Sequence, residues 1–83
     1  MTKKINNLEI ITFPQYRMYL NAKSYFKILS PINFEEKIIF GKKTLIKTCI
    51  AEQYPEKLFI HDLLVNFSHM AKEITEEIYN SIK

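Results

Sequence analysis

Apolar and polar residues alternate with a period of two through the first half of the chain, which is typical of β-strands. Asn21-Ala22-Lys23 is expected to turn one pair of strands, since Asn tolerates the left-handed backbone of tight turns. Gly41-Lys42-Lys43 is expected to turn a second pair, because glycine accepts a positive φ. A further strand is expected over residues 8–13, ended by Pro14. The four hairpin strands are predicted over residues 16–20, 24–29, 34–40 and 44–52.

Apolar residues recur at spacings of three and four in the last third of the chain, which indicates amphipathic helix. Pro55-Glu56 is typical of a helix N-terminus, so the first helix is expected to begin there. Asn66 and Ser68 interrupt the helical pattern, and Thr75 with two glutamates behind it is expected to cap a second helix. Two helices are therefore predicted, and residues 68–74 between them are either helical or extended.

These elements predict an α+β fold, an antiparallel meander sheet of four or five strands with one or two C-terminal helices packed on one face. A chain of 83 residues is expected to form a single domain over residues 1–83. Within it, residues 1–13 are an edge strand or a flexible arm, 14–52 are β-hairpins and 55–83 are mainly helical. The sheet face toward the helices is expected to carry Met18, Phe26, Ile28, Ile38, Phe40, Ile46 and Ile50.

Composition limits the class of protein and its compartment. The chain is 47% hydrophobic with six Phe and five Tyr, which argues against disorder. Its single cysteine excludes an internal disulfide and a multi-cysteine zinc site, so a reducing, cytoplasmic location is expected. No apolar run approaches the roughly 18–20 residues of a membrane span, and no apolar segment typical of a secretory signal follows the basic start.

Charge is divided unevenly along the chain. Residues 1–50 carry nine Lys or Arg against three acids, a net charge of +6, whereas residues 51–83 carry three Lys against six acids, a net charge of −3. A basic sheet with an acidic helical layer is consistent with an anionic partner. Eleven of the twelve basic residues are Lys, however, and Ile, Lys, Asn, Phe and Tyr all have AT-rich codons. The lysine excess is therefore either functional or a result of biased composition.

One group of residues is a candidate nucleic-acid site, because rings that stack on bases and cations that contact phosphates bind single strands without sequence preference. The alternative is that these residues bind nothing: the lysines are solvated, and the tyrosines fill cross-strand positions in the sheet. The candidate residues, expected along one sheet face and its two turns, are Arg17, Tyr19, Tyr25, Lys27, Lys42, Lys43 and Lys47.

Few residues offer catalytic chemistry. His61 and His69 are eight residues apart, which does not match the i, i+4 spacing of a helical metal site. Cys49 lies among β-branched residues, where a thiol generally behaves as a small hydrophobe. No catalytic residue, metal or cofactor is therefore expected, and an enzyme is the third-ranked class.

Four segments of the chain resemble a group of short uncharacterised bacterial proteins, over about residues 13–65. The resemblance implies no activity, ligand or catalytic residue. It does imply a short acidic helix near the end, consistent with residues 75–83, and an extended segment before it. The segments are Phe13-Pro14-Gln15-Tyr16-Arg17, Ser24-Tyr25-Phe26-Lys27-Ile28, Phe34-Glu35-Glu36 and Ala51-Glu52-Gln53-Tyr54-Pro55.

Together the observations favour a small non-enzymatic protein-binding or regulatory module that self-associates. A one-sided sheet leaves open edges and an uncovered face near Tyr16, Tyr19, Tyr25 or Ile39, and a second copy could cover either. The alternative is a nucleic-acid-binding protein that uses the basic, tyrosine-bearing face. The partner's identity and the oligomeric state stay open at this point.

Overall fold

A computed structural model describes residues 11–83 of the chain. The sheet order is β4-β3-β2-β1-β5, and each neighbouring pair is antiparallel. The α+β class, the five-stranded antiparallel sheet and the two helices are thus confirmed. The strand expected over residues 8–13 lies outside the described residues except for 11–13, which are not in a strand. The elements are β1 Gln15–Tyr19, β2 Ser24–Ser30, β3 Asn33–Phe40, β4 Lys43–Ile50, α1 Tyr54–Val65, β5 Ala71–Glu73 and α2 Glu76–Ser81.

The turn between β3 and β4 sets which side chains of β4 point toward the core. It consists of two residues, because Phe40 lies opposite Lys43, and Gly41 supplies the positive φ of +62° that such a turn needs. The three-residue turn expected from the sequence would pair even-numbered residues with even-numbered ones. The observed turn pairs even with odd, and a slip of one residue moves every side chain to the other face. The prediction that Ile46 and Ile50 lie in the core is therefore wrong.

The main core lies between the sheet and α1. Phe26, Ile28 and Phe34 point from the central strands toward Leu63 and Leu64 of the helix, and all are buried. This side of the sheet is called the α1 face. Met18 does not belong to it, because Arg17 is the residue opposite Phe26, so the expected core position of Met18 is also wrong.

The second helix packs on the opposite side of the sheet, called the α2 face. Thr75 caps it, since the Thr75 hydroxyl accepts a hydrogen bond from the backbone N–H of Ile78 at 3.2 Å. Tyr79 of the helix packs on Tyr16, with ring centroids 5.4 Å apart, and its hydroxyl donates to Glu35 at 2.7 Å. The expected packing on one face therefore holds for α1, whereas α2 covers the face that was expected to be open.

A lysine of the sheet fixes the end of α2. The Lys37 ammonium donates hydrogen bonds of 3.0 Å to the backbone carbonyls of Tyr79 and Ile82, and it lies over the Tyr79 ring, 4.3 Å from the centroid. Carbonyls in the last turn of a helix have no partner within the helix, and a cation there also complements the helix dipole. This polar contact holds a helix of only six residues against the sheet.

Candidate protein-docking site

Strand β4 forms one edge of the sheet, and none of its residues is buried. Its eight residues pair with β3 on one side, and no strand of residues 11–83 pairs with it on the other. The opposite edge is β5, which has only three residues. A long edge strand presents a row of unpaired N–H and C=O groups, and such a row is a template for another strand.

The hydrogen-bond ladder shows which backbone groups of β4 face outward. The N–H of Ala51 donates to the carbonyl of Ile32 at 2.7 Å, so Ala51 faces β3. Along a strand, the backbone N–H and C=O groups of successive residues point alternately to one side and the other, so the odd-numbered residues of β4 also bond to β3. The N–H and C=O groups that point away from the sheet belong to Thr44, Ile46, Thr48 and Ile50. Their four side chains all lie on the α2 face.

Apolar side chains flank this open row. Ile46 and Ile50 are 60% and 61% exposed on the α2 face, because α2 reaches only the first three strands. Leu45 and Phe40 are exposed on the α1 face at the turn end. Exposed apolar residues are ordinary when scattered, but a row along an unpaired strand edge is typical of a binding surface.

Two grooves adjoin the strand. One, of about 350 Å³, lies on the α1 face where the helix stops short of β4, and Lys47 and Glu36 within it are 3.9 Å apart. The other, of about 410 Å³, lies between the β2–β3 turn and α1, next to the Ile50 end of β4. The first is lined by Phe34, Glu36, Lys47, Cys49, Pro55, Glu56 and Phe59, and the second by Pro31, Ile32, Tyr54, Lys57, Leu58, His61 and Leu64.

The two ends of β4 differ in charge. Lys42 and Lys43 lie at the turn end, and Glu52 and Glu56 lie beyond the other end. The Glu56 carboxylate accepts hydrogen bonds from the backbone N–H groups of Glu52 and Gln53, at 2.9 and 3.1 Å. These bonds lower the pKa of Glu56, so the carboxylate stays ionised at the start of α1. The edge is therefore basic at one end and acidic at the other.

The residues expected to form a nucleic-acid site are not on one face. Tyr19 and Lys47 lie on the α1 face with Arg17, whereas Tyr25 and Lys27 lie on the α2 face, because Phe26 is opposite both Arg17 and Glu36. Tyr25 is buried, and the Tyr19 ring packs against Phe26. Lys42 and Lys43 are exposed at the β3–β4 turn. The expectation of a single basic, tyrosine-bearing face is corrected by this register.

Arg17 is a structural residue and is only 3% exposed. Its guanidinium donates to the backbone carbonyls of Leu63 and Tyr16, each at 2.8 Å, and stacks on the Phe67 ring at 4.2 Å. Burial lowers the pKa of Arg17, and the nearby Glu73 carboxylate opposes that shift. The side chain joins the C-terminal end of α1 to the sheet, where it is out of reach of a phosphate group.

The residues considered for catalysis are dispersed. His61 is on the exposed side of α1, with its Nδ1 3.9 Å from the Asp62 carboxylate, and His69 is exposed between α1 and β5. Cys49 is half-buried in the 350 Å³ groove and is not in a disulfide. Within the described part of the chain, no group of three or more His, Cys, Asp or Glu side chains could hold a metal ion.

Sequence reasoning missed Ile46, Thr48 and Ile50 as an outward-facing row, since it placed both isoleucines in the core. The signal that could have found them is the Gly41-Lys42 pair, because a two-residue turn fixes which β4 residues face away from the helix.

Comparison of the chain with protein-family models, curated proteins and solved structures finds no match. The resemblance to short bacterial proteins therefore stays a prediction. Within residues 11–83, no helix is both long enough and apolar enough to cross a membrane.

Proposed function

We propose that this chain is a small, non-enzymatic protein-binding module that docks an extended strand of its partner along β4. The observation that carries the proposal is the row of outward-facing backbone groups at Thr44, Ile46, Thr48 and Ile50. A strand added to such an edge gains affinity from main-chain hydrogen bonds, and the alternating side chains supply specificity.

The surroundings of the row support a protein partner. Ile46 and Ile50 offer apolar contacts on one face, and the groove beside Cys49 offers a place for side chains on the other. Natural proteins commonly protect long edge strands with inward-pointing charges, proline or a bulge. Strand β4 has no proline, and its pairing with β3 runs without a register shift from Lys43 to Ile50. It does carry a charge on the α1 face, Lys47, whose ammonium lies 3.9 Å from the Glu36 carboxylate of the neighbouring strand.

Nucleic-acid binding ranks lower for a structural reason. The one arginine of the chain is buried against carbonyls. Of the tyrosines expected to stack on bases, Tyr25 is buried and the half-buried Tyr19 packs edge-on against Phe26. A cytoplasmic location remains part of the proposal, and the free thiol of Cys49 is compatible with a reducing compartment.

The test is selection of binders from a displayed library of random peptides, followed by amide hydrogen exchange of the full chain with and without a selected peptide. The proposal expects slower exchange at the outward amides of Ile46 and Thr48, and loss of binding in an Ile46→Lys variant. Ile78→Lys is the matched control, because Ile78 is an exposed isoleucine on α2, away from β4. Peptides that bind both variants equally, or that protect other amides, would overturn the proposal.

A further inference from the structure

We infer that the strand docked on β4 is β4 of a second copy of this chain, paired antiparallel with Thr48 at the twofold axis. The inference rests on the proposed function, since it names the partner of the same edge. It joins two five-stranded sheets into one continuous sheet, with each copy using the same residues.

The direction of the backbone restricts how two β4 strands can pair. When two edges join in antiparallel fashion, residues with outward N–H and C=O groups must lie opposite one another. Those residues are the even-numbered ones of β4. Ile46 of one copy therefore lies opposite Thr44, Ile46, Thr48 or Ile50 of the other, which places the axis at residue 45, 46, 47 or 48. An axis at residue 45 would set Ile50 opposite position 40, which lies outside β4, so three registers remain.

The side chains select among these three registers. An axis at Lys47 places two lysines directly opposite each other, and like charges so placed are destabilising. An axis at Ile46 places Ile50 opposite Lys42, so Ile50 gains no apolar neighbour across the pair. An axis at Thr48 places Ile46 of each copy opposite Ile50 of the other. That register makes two apolar cross-strand pairs from side chains that are mostly exposed in a single copy.

The charges at the two ends of β4 favour the same register. With the axis at Thr48, Thr44 of each copy lies opposite Glu52 of the other. Lys43 then lies opposite Gln53, next to Glu52 and just before the partner helix that begins at Tyr54. The basic end of one strand thus meets the acidic end of the other at both ends of the interface. Complementary charges of this kind fix register and speed association.

The α1 face adds a second complementary contact. Lys47 of each copy lies opposite Cys49 of the other, at the mouth of the 350 Å³ groove. That groove holds two carboxylates, those of Glu36 and Glu56, and one ammonium, that of Lys47. The incoming lysine balances this charge, and its aliphatic stem covers the exposed side of Phe59.

Disulfide mapping tests the register. In a Cys49→Ser background, Thr48→Cys is expected to oxidise to a covalent dimer that a reductant reverses. Directly opposite residues of an outward pair have Cα atoms about 5.5 Å apart, within the range that a disulfide spans. Thr44→Cys is the matched control, because the two Thr44 residues are separated by roughly 20 Å or more along the paired strands. Cross-linking of Thr44→Cys, or of Ile46→Cys in place of Thr48→Cys, would overturn the register.

Light scattering tests the partner. The mass of the wild-type chain is expected to rise from monomer to dimer with concentration, and the Ile46→Lys variant is expected to stay monomeric with an unchanged circular dichroism spectrum. Ile78→Lys makes the same substitution on α2 and is expected to dimerise like the wild type. A wild-type mass that stays monomeric at high micromolar concentration, or equal loss of dimer in both variants, would overturn the inference.

Amide exchange of the chain alone separates this inference from the proposed function. Protection of the Ile46 and Thr48 amides that increases with concentration supports a second copy. Protection that does not depend on concentration would assign the edge to another segment of the same chain and overturn the inference. If these amides exchange rapidly at every concentration and a selected peptide slows their exchange, the inference is overturned and the proposed function stands. If they exchange rapidly and no peptide slows them, both are overturned.

Discussion

Strands β2 and β4 have similar lengths and similar shares of apolar residues, but opposite environments. β2 lies in the middle of the sheet, where Phe26 and Ile28 are buried under α1 and Tyr25 is buried under α2. β4 lies at the edge, and Ile46 and Ile50 remain mostly exposed on the face that α2 does not reach. The comparison teaches that apolar content alone does not separate a core strand from an exposed edge strand, whereas position in the sheet does.

The two helices explain where coverage stops. Helix α1 packs over the central strands, and the polar contacts of Tyr79 and Lys37 hold α2 over β1 to β3. Neither helix covers Ile46 and Ile50 on the α2 face of β4. Within residues 11–83, β4 is thus a long strand with exposed apolar side chains that no helix covers on the α2 face, and exposed apolar strand edges of this kind are typical of binding surfaces.

The largest effect is expected from a charge in the covered half. Leu64→Asp puts a carboxylate among Phe26, Ile28 and Ile60, where Leu64 is 4% exposed. An unpaired buried charge is so unfavourable that the domain should unfold or lose its cooperative transition. Leu58→Asp is the control on the same helix, since Leu58 is exposed. If circular dichroism and thermal melting show Leu64→Asp to be as well folded as Leu58→Asp, Leu64 is not in the core and the contrast between covered and exposed strands fails.

A smaller but still large effect is expected from truncation in β2. Ile28→Ala removes a fully buried side chain between the sheet and α1, and such changes destabilise by about 2–5 kcal/mol. Urea unfolding at constant m-value measures the loss. A change in the free energy of unfolding below about 0.5 kcal/mol, as typical surface substitutions give, would mean that Ile28 is not part of the core.

Much of the fold could be predicted from local patterns. The period of two gave the hairpin strands, and the Thr75-Glu76-Glu77 sequence marked the start of α2, because capping depends on neighbours in the chain. The faces of β4 could not be predicted without the turn length, since one residue more or less at Gly41 reverses all of them.

The long-range polar contacts were beyond local patterns. Arg17 looks like a surface cation in the sequence. In the fold it is buried and donates to the backbone carbonyl of Leu63, which is 46 residues away and therefore beyond any local pattern. The position of α2 likewise depends on Tyr79 reaching Glu35, a contact that no periodicity reports. The outward-facing row at Ile46 and Thr48 was missed because the faces of β4 depend on the length of the turn at Gly41.

An intermediate effect is expected from the contact that holds α2. Tyr79→Phe removes the hydrogen bond to the Glu35 carboxylate, and bonds to charged groups contribute about 1.5–3 kcal/mol. Urea unfolding at neutral pH measures this loss, with Tyr54→Phe as the control because Tyr54 is exposed. Equal free energies of unfolding for the two variants would show that α2 is held by apolar packing alone.

The same variant has a pH signature. Burial, with the hydrogen bond and charge of Glu35, raises the pKa of Tyr79 well above its ordinary value of 10.0. The unfolded chain therefore releases the Tyr79 proton above about pH 10 while the folded chain keeps it. Stability from this group is present below that pH and falls as the pH rises. Tyr79→Phe should therefore reduce the loss of stability at alkaline pH. Part of that loss should remain, because the pKa values of Tyr16 and Tyr19 are also raised.

The smallest effect is expected at the exposed strand, and it sharpens the comparison most. Ile46→Ala makes in β4 the same substitution as Ile28→Ala in β2, but Ile46 contributes little to the packing of a single copy. At low protein concentration it should change the free energy of unfolding by no more than about 0.5 kcal/mol. At high concentration the loss should grow, because unfolding of a dimer is coupled to its dissociation. A large loss at every concentration would place Ile46 in the core of the single chain. No loss at any concentration, with dimer present by light scattering, would move the interface away from β4.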